Sequence, residues 1–135
     1  LDPADNAMLI YDLGSTDPTP AQLRSIGDWD GDGVSEMAMG LDPTSSRAGQ
    51  VWVYSSQDES GTIGAEEGAF ATIEGDGDTD EGHYQTYFGA AISTLPGDLN
   101  GDGTDDFVVG DYGWGDATAG ESQMGAVYIS FNGSL

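Results

Sequence analysis

The sequence predicts an all-β chain built as two four-stranded antiparallel units whose strand order is permuted by one. Three observations carry that expectation. Apolar segments are short and alternate with period two or are β-branched, as half-buried strands require. Twenty-two glycines and five prolines interrupt the 135 residues too often for helices of ordinary length. The order strand, Asp-rich loop, strand, long loop, Gly-led strand occurs twice, with a period near 70 residues.

Met8–Leu13 is the first expected strand, followed by a proline-containing turn through Asp17, Pro18 and Pro20. Gln22–Ile26 leads into the first Asp-rich loop, and Glu36–Gly40 leads out of it. Gly49–Tyr54 alternates Val51 and Val53 with Trp52 and Tyr54, which predicts a half-buried strand with valines on one face and aromatics on the other. Ala69–Glu74 is the next strand. Tyr87–Ser93 enters the second loop, Phe107–Gly110 leaves it, and Gly125–Phe131 repeats the Gly49 strand after a longer connection. The repeats run from about 8 to 67 and from about 68 to 135. Aligned on Ala69–Glu74, Met8–Leu13 takes the part of a fourth strand, so the order reads fourth, first, second, third, twice over. Two sets of four short strands at this spacing fit antiparallel blades rather than a parallel sheet.

The loops are the same motif written twice. Asp28-Trp-Asp30-Gly-Asp32-Gly33-Val34-Ser-Glu36 and Asp98-Leu-Asn100-Gly-Asp102-Gly103-Thr104-Asp-Asp106 both read D-x-[DN]-x-D-G-x-x-[DE]. Side chains at positions 1, 3 and 5 (Asp28, Asp30, Asp32; Asp98, Asn100, Asp102) can turn inward, and glycine at position 6 permits the bend. Position 7, Val34 or Thr104, offers its carbonyl. Position 9, Glu36 or Asp106, closes the shell. Six to eight mixed oxygen ligands suit Ca²⁺, whereas Mg²⁺ demands a stricter octahedron and retains water. The chain has no Cys, and its single His, His83, lies outside both loops, so a thiolate or imidazole metal is not expected. Two calcium sites follow. An EF-hand opens in the same way but needs a bidentate Glu at position 12 and flanking helices. Here position 12 is Met39 or Val109. The first loop places four carboxylates around its ion and the second three, so the first is expected to bind more tightly. Asp76–Glu81 is a further acidic stretch, but Glu81 stands where the position-6 glycine is needed, and a solvated loop is the expectation there.

Phe88-Gly89, the Asp98–Asp106 loop, Val108-Val109-Gly110 and Gly125-Ala-Val127-Tyr128 resemble the FG-GAP repeat of the integrin alpha-subunit β-propeller and its secreted bacterial and archaeal relatives. The first copy departs from the pattern at Pro18-Thr19, where Phe-Gly would stand, and in both copies the last letter pair of the name is absent, since Leu41-Asp42 follows Gly40 and Asp111-Tyr112 follows Gly110. The resemblance implies propeller-type blades, each with a calcium ion in the hairpin loop between its first two strands acting as a staple. It also implies a role in adhesion or in protein or carbohydrate recognition. Two blades do not close a ring. Met8–Leu13 either closes the chain's own last blade, or donates to a neighbouring copy and so builds a homo-oligomer or filament, or the chain is an excerpt of a longer propeller.

Twenty-five Asp and Glu face two Arg and no Lys, a formal net charge of −23 of which two calcium ions offset only a small part. Such a surface repels nucleic-acid phosphates and anionic membranes. It suits an extracellular or surface-displayed protein in salty, calcium-bearing water, through halophilic adaptation or simple solubility. No apolar run is long enough for a membrane-spanning helix. An enzyme is not expected: His83 has Glu81, Tyr84 and Tyr87 nearby in sequence but no recognisable nucleophile, and acid pairs such as Glu66-Glu67 and Asp105-Asp106 are too common in this composition to signal acid–base chemistry. Trp29, Trp114 and Tyr112 lie in or beside loops, where they are candidates for a ligand platform.

Overall fold

Alternating β-branched and aromatic residues bounded by glycine and acidic turns fold as antiparallel sheet, and the computed structural model is all-β in this way. It describes residues 9–14, 19–43, 48–55, 61–75, 87–93, 97–115 and 124–131. These contain β1 (Leu9–Asp12), β2 (Pro20–Gly27), β3 (Glu36–Leu41), β4 (Gln50–Tyr54), β5 (Gly61–Gly64), a four-residue helix α1 (Ala65–Gly68), β6 (Ala71–Glu74), β7 (Phe88–Ile92), β8 (Phe107–Asp111) and β9 (Ala126–Ser130). The acidic stretch Asp76–Glu81 and His83 lie outside the described residues, as do Met8 and Pro18.

The first sheet has the order β2-β3-β4-β6 and is antiparallel throughout. The second, β7-β8-β9, is also antiparallel and has three strands. The two sheets are built in the same register: Gly40 faces Val51 across β3 and β4, and Gly110 faces Val127 across β8 and β9. Because Ala71 and Ile73 pack with Val51 and Val53, β6 closes the first sheet. The sheets therefore divide between Glu74 and Phe88.

The first strand corrects the expectation that it closes the chain's own last blade. Its described part, β1, pairs in parallel with β5, Leu9 opposite Gly61 and Asp12 opposite Gly64. It is not part of the second sheet, and one of its edges is paired within its own chain. The partner strand β5 was not expected at all, since Gly61-Thr-Ile63-Gly is too short and glycine-rich to signal a strand.

Strand β4 is buried at every residue, so the half-buried expectation fails while the alternation holds. Val51 and Val53 join Ile26, Trp29, Phe88, Ile92, Phe107 and Val109 in a core shared by the two sheets. Trp52 and Tyr54 join Met39, Leu41 and Ala65 on the opposite face, where Tyr11, Leu13 and Ala69 pack over them. Tyr11 and Tyr54 meet at 4.1 Å between ring centroids, and the Tyr54 hydroxyl donates to the Ala65 carbonyl at 2.9 Å. The first sheet is thus covered on both faces, by the second sheet on one side and by β1, β5 and α1 on the other.

The two sheets meet through backbone. Phe88 and Gly89 lie so close over β3 and β4 that a Cβ at Gly40 would overlap the Gly89 carbonyl oxygen, and one at Gly49 the Phe88 carbonyl oxygen. Gly89 itself has φ 89°, a conformation that disfavours any side chain. Gly40→Ala is expected to lower stability by about 2 kcal/mol or more, because the obstruction is main chain rather than a mobile side chain. Urea denaturation measures it; an unchanged midpoint would mean the sheets do not meet this closely.

Candidate metal centre

Both Asp-rich segments are hairpin loops, joining β2 to β3 and the bridge at Gly97 and Asp106 to β8. Their short acidic side chains fold back onto the loop's own amides, and the two loops do this in matching register. Trp29 N donates to Glu36 Oε2 at 2.8 Å, and Leu99 N donates to Asp106 Oδ2 at 2.8 Å. Gly33 N donates to Asp28 Oδ2 at 3.1 Å, and Gly103 N to Asp98 Oδ2 at 2.9 Å. Asp32 N reaches Asp30 Oδ1 at 3.0 Å, as Asp102 N reaches Asn100 Oδ1 at 2.8 Å. Val34 N and Thr104 N reach the Oδ1 of Asp32 and Asp102 at 2.8 and 2.9 Å. Position-6 glycines Gly33 and Gly103 have φ 90° and 96°, which is why neither loop carries a side chain there.

Asp98 and Asp102 spend both carboxylate oxygens on their loop, whereas Asp28, Glu36 and Asp106 each keep one oxygen with no protein partner. Glu36 and Asp106 are each 1 % exposed, and Glu36 Oε1 and Asp106 Oδ1 are buried without a hydrogen bond, as is Asp28 Oδ1. A buried carboxylate oxygen with nothing to bind is costly, by roughly 1–3 kcal/mol or more. Burial accordingly pushes the Glu36 carboxyl above its ordinary pKa, with the charges of Asp30 and Asp32 adding to it against the lowering effect of the Trp29 and Asp30 amides. A cation would supply what these oxygens lack.

Asp28, Asp30 and Glu36 each offer an oxygen within 4.8 Å of the others, a spacing that oxygen ligands around one ion at about 2.3–2.6 Å can adopt. This acidic cluster is positioned to hold a metal ion. Asp32 is not part of the trio; its Oδ1 takes the Val34 amide. In the second loop no such trio forms among the described residues, and Asp102 is held within the loop instead. The Thr104 hydroxyl and amide, then the Asn100 amide, hold its carboxyl below the ordinary range, and the hydroxyl contact is 2.6 Å. Val34 is exposed, leaving its side chain clear of the loop.

Two residues acquire roles that the sequence did not suggest. Asp105, dismissed there as part of an acid pair, joins the loops. Its amide donates to the Asp28 carbonyl at 2.9 Å, and its Oδ2 accepts from Asp28 N at 3.0 Å. Only its counterpart in the first loop, Ser35, hinted at an asymmetry. Trp29, expected on a ligand platform, is 4 % exposed and lies in the shared core against Phe107 at 6.0 Å and Phe70 at 5.9 Å. Tyr112 is exposed and stacks on Tyr87 at 4.4 Å. Trp114 is partly buried, and its carbonyl accepts from Gly125 N at 3.0 Å.

Asp105→Ala is expected to cost about 1–2 kcal/mol by freeing the Asp28 amide, and to weaken ion binding in the first loop several-fold. Melting curves and a calcium titration of the variant read both, and no change in either would remove Asp105 from the site. No protein-family model matches the chain, and no curated protein matches it either.

Proposed function

We propose that the chain is a calcium-stabilised structural and adhesion module of an extracellular or cell-surface protein, built from two FG-GAP-type β-propeller blades. The observation that carries this reading is the paired loop network. The same backbone amides bind the same carboxylates 70 residues apart, and each position-9 carboxylate is buried with one oxygen unpartnered. Asp28, Asp30, Asp32, Val34 and Glu36 hold one Ca²⁺; Asp98, Asn100, Asp102, Thr104 and Asp106 hold the other.

The ion acts as a staple rather than a reagent. Each loop fixes the start of a second strand, β3 or β8, whose side chains enter the shared core. Like charges gathered within a few ångströms repel by several kcal/mol, and the cation reverses that. The free edge of β9 supports assembly by strand addition, since it lacks a neighbour among the described strands. No helix among the described residues is long and apolar enough to cross a membrane.

Isothermal titration of chelator-treated protein with Ca²⁺ tests the reading. Two equivalents bound, with a rise in melting temperature, are expected. Failure to bind below millimolar calcium refutes it. A second reading, recognition of a protein or carbohydrate ligand, is favoured by the exposed Tyr112 ring on Tyr87, and in it the calcium loops keep the same role.

A further inference from the structure

The two Asp-rich loops touch each other. Asp105 donates its amide to the Asp28 carbonyl at 2.9 Å and takes the Asp28 amide on its Oδ2 at 3.0 Å. One residue of the second loop thus holds both main-chain polar groups of Asp28. The Asp105 carboxyl group fills the space that a side chain at Gly27 would need, and Gly27 has φ 77°. A further contact lies beyond it: a Cβ on Gly31 would sit 3.1 Å from the Thr104 methyl carbon.

The places of these residues in the motif give the contact its consequence. Asp28 is position 1 of the first loop, and its Oδ1 is buried without a partner. Asp105 is position 8 of the second loop, between Thr104 and Asp106, which are positions 7 and 9. Asp106 is 1 % exposed and also keeps an unpartnered oxygen. Each end of the contact therefore leads to a carboxylate that is short of one partner, and it does so through main chain rather than through a mobile side chain alone.

We propose that the two loops are one coupled binding unit, in which filling either loop raises the calcium affinity of the other through Asp105. This coupling rests on the proposed calcium reading and adds a positioning role for Asp105, which is not itself a ligand. With Thr104 and Asp106 both drawn onto an ion, the backbone on either side of Asp105 is fixed. Asp105 then offers Asp28 a fixed carboxylate and a fixed amide, and the first loop has less freedom left to lose when it binds. Linkage makes the effect equal in both directions. Repulsion between two divalent ions opposes it. However, four carboxylates face one ion and three the other, so a filled loop remains a negative neighbour. Salt screens charges further apart than about 8 Å, while the two hydrogen bonds are in direct contact. Positive coupling is the expected sign at physiological ionic strength.

The test titrates calcium calorimetrically into the full chain, Asp98→Ala, Asp105→Ala and the double variant. Asp98→Ala disables the second loop and is expected to weaken binding in the first by about fivefold or more. In the Asp105→Ala background the same substitution is expected to change first-loop affinity no further. Asp105→Asn keeps a side-chain oxygen for the Asp28 amide and is expected to retain the coupling. Should Asp98→Ala not fold, Asp98→Asn takes its place, since it keeps an oxygen for the loop amides. Hydrogen exchange gives a second readout in Asp30→Ala, where only the second loop fills: calcium is expected to slow exchange of the Asp28 amide, and to do so only while Asp105 is present. First-loop affinity unchanged by Asp98→Ala, or lowered equally with and without Asp105, overturns the proposal. Coupling lost in Asp105→Asn, or an Asp28 amide whose exchange ignores calcium, overturns it too. Two ions bound independently sink only the coupling, whereas no calcium uptake by either loop sinks the calcium reading and the coupling with it.

Discussion

Glu36→Gln will lower the melting temperature of the calcium-loaded protein by roughly 10 °C and will leave the calcium-free protein as stable as before or more so. The first half follows from mass action. An ion bound only by the folded state, present at about 100 times its dissociation constant, contributes about 2.7 kcal/mol, and a chain of this size shifts by a few degrees per kcal/mol. Glutamine keeps the shape and an oxygen for the Trp29 amide but removes the charge that faces the ion. The second half follows from the empty loop's electrostatics. Burial, Asp30 and Asp32 hold the Glu36 carboxyl above its ordinary pKa of 4.5, so ionising it opposes folding. In chelator, this group's contribution is fully present below 4.5 and is lost as pH rises through its raised folded value; the glutamine variant lacks that loss. Calorimetric melting of both proteins, with calcium and with chelator, across pH 4 to about 8, checks the crossover. A variant destabilised equally in both conditions would make Glu36 a structural carboxylate with no ion to serve.

The second large effect is expected at Trp29. Trp29→Ala removes the ring that meets Phe70 from the first sheet's last turn and Phe107 from the second sheet's middle strand. Deleting a buried aromatic of this size costs about 3–5 kcal/mol, much of it through the cavity left behind. Because Trp29 is position 2 of the loop and its amide binds Glu36, the loss reaches the proposed metal ligands too, and the proposed calcium affinity is expected to fall with stability. Trp29→Phe retains most of the packing and is expected to recover more than half of the loss. Chemical denaturation of the two variants measures this; equal losses for Ala and Phe would mean that a phenyl ring cannot take over the packing of the indole, whose Nε1 has no hydrogen-bond partner.

Much of this was legible because it is local. The Asp-rich motif dictates its own loop, since Asp side chains find amides two to five residues away and position-6 glycine permits the bend, and both loops obey it. The strands flanking the loops were legible for the same reason, as was the predominance of strand over helix among the described residues. What escaped is long-range. Nothing in Gly61–Gly64 announces a strand until Leu9–Asp12 lies beside it, and parallel pairing leaves no mark in sequence spacing. The alternation in β4 separates its faces but cannot say whether the second is wet, so Trp52 and Tyr54 reading outward are in fact beneath Tyr11 and Ala65. Asp105 was invisible because its partner, Asp28, is 77 residues distant. Trp29 misled because its loop is at the surface while its ring turns under it.

The parallel pairing of β1 with β5 gives the molecule a direction. One face of the first sheet is lidded by residues that flank it in the chain, and its other face meets the second sheet. Residues 9–74 can reach a closed arrangement before β7 is made, and β7 then lays its glycine into a surface already formed. The lid leaves the first sheet a single face on which β7 can lie, so the second sheet has only one side of the first to pack on.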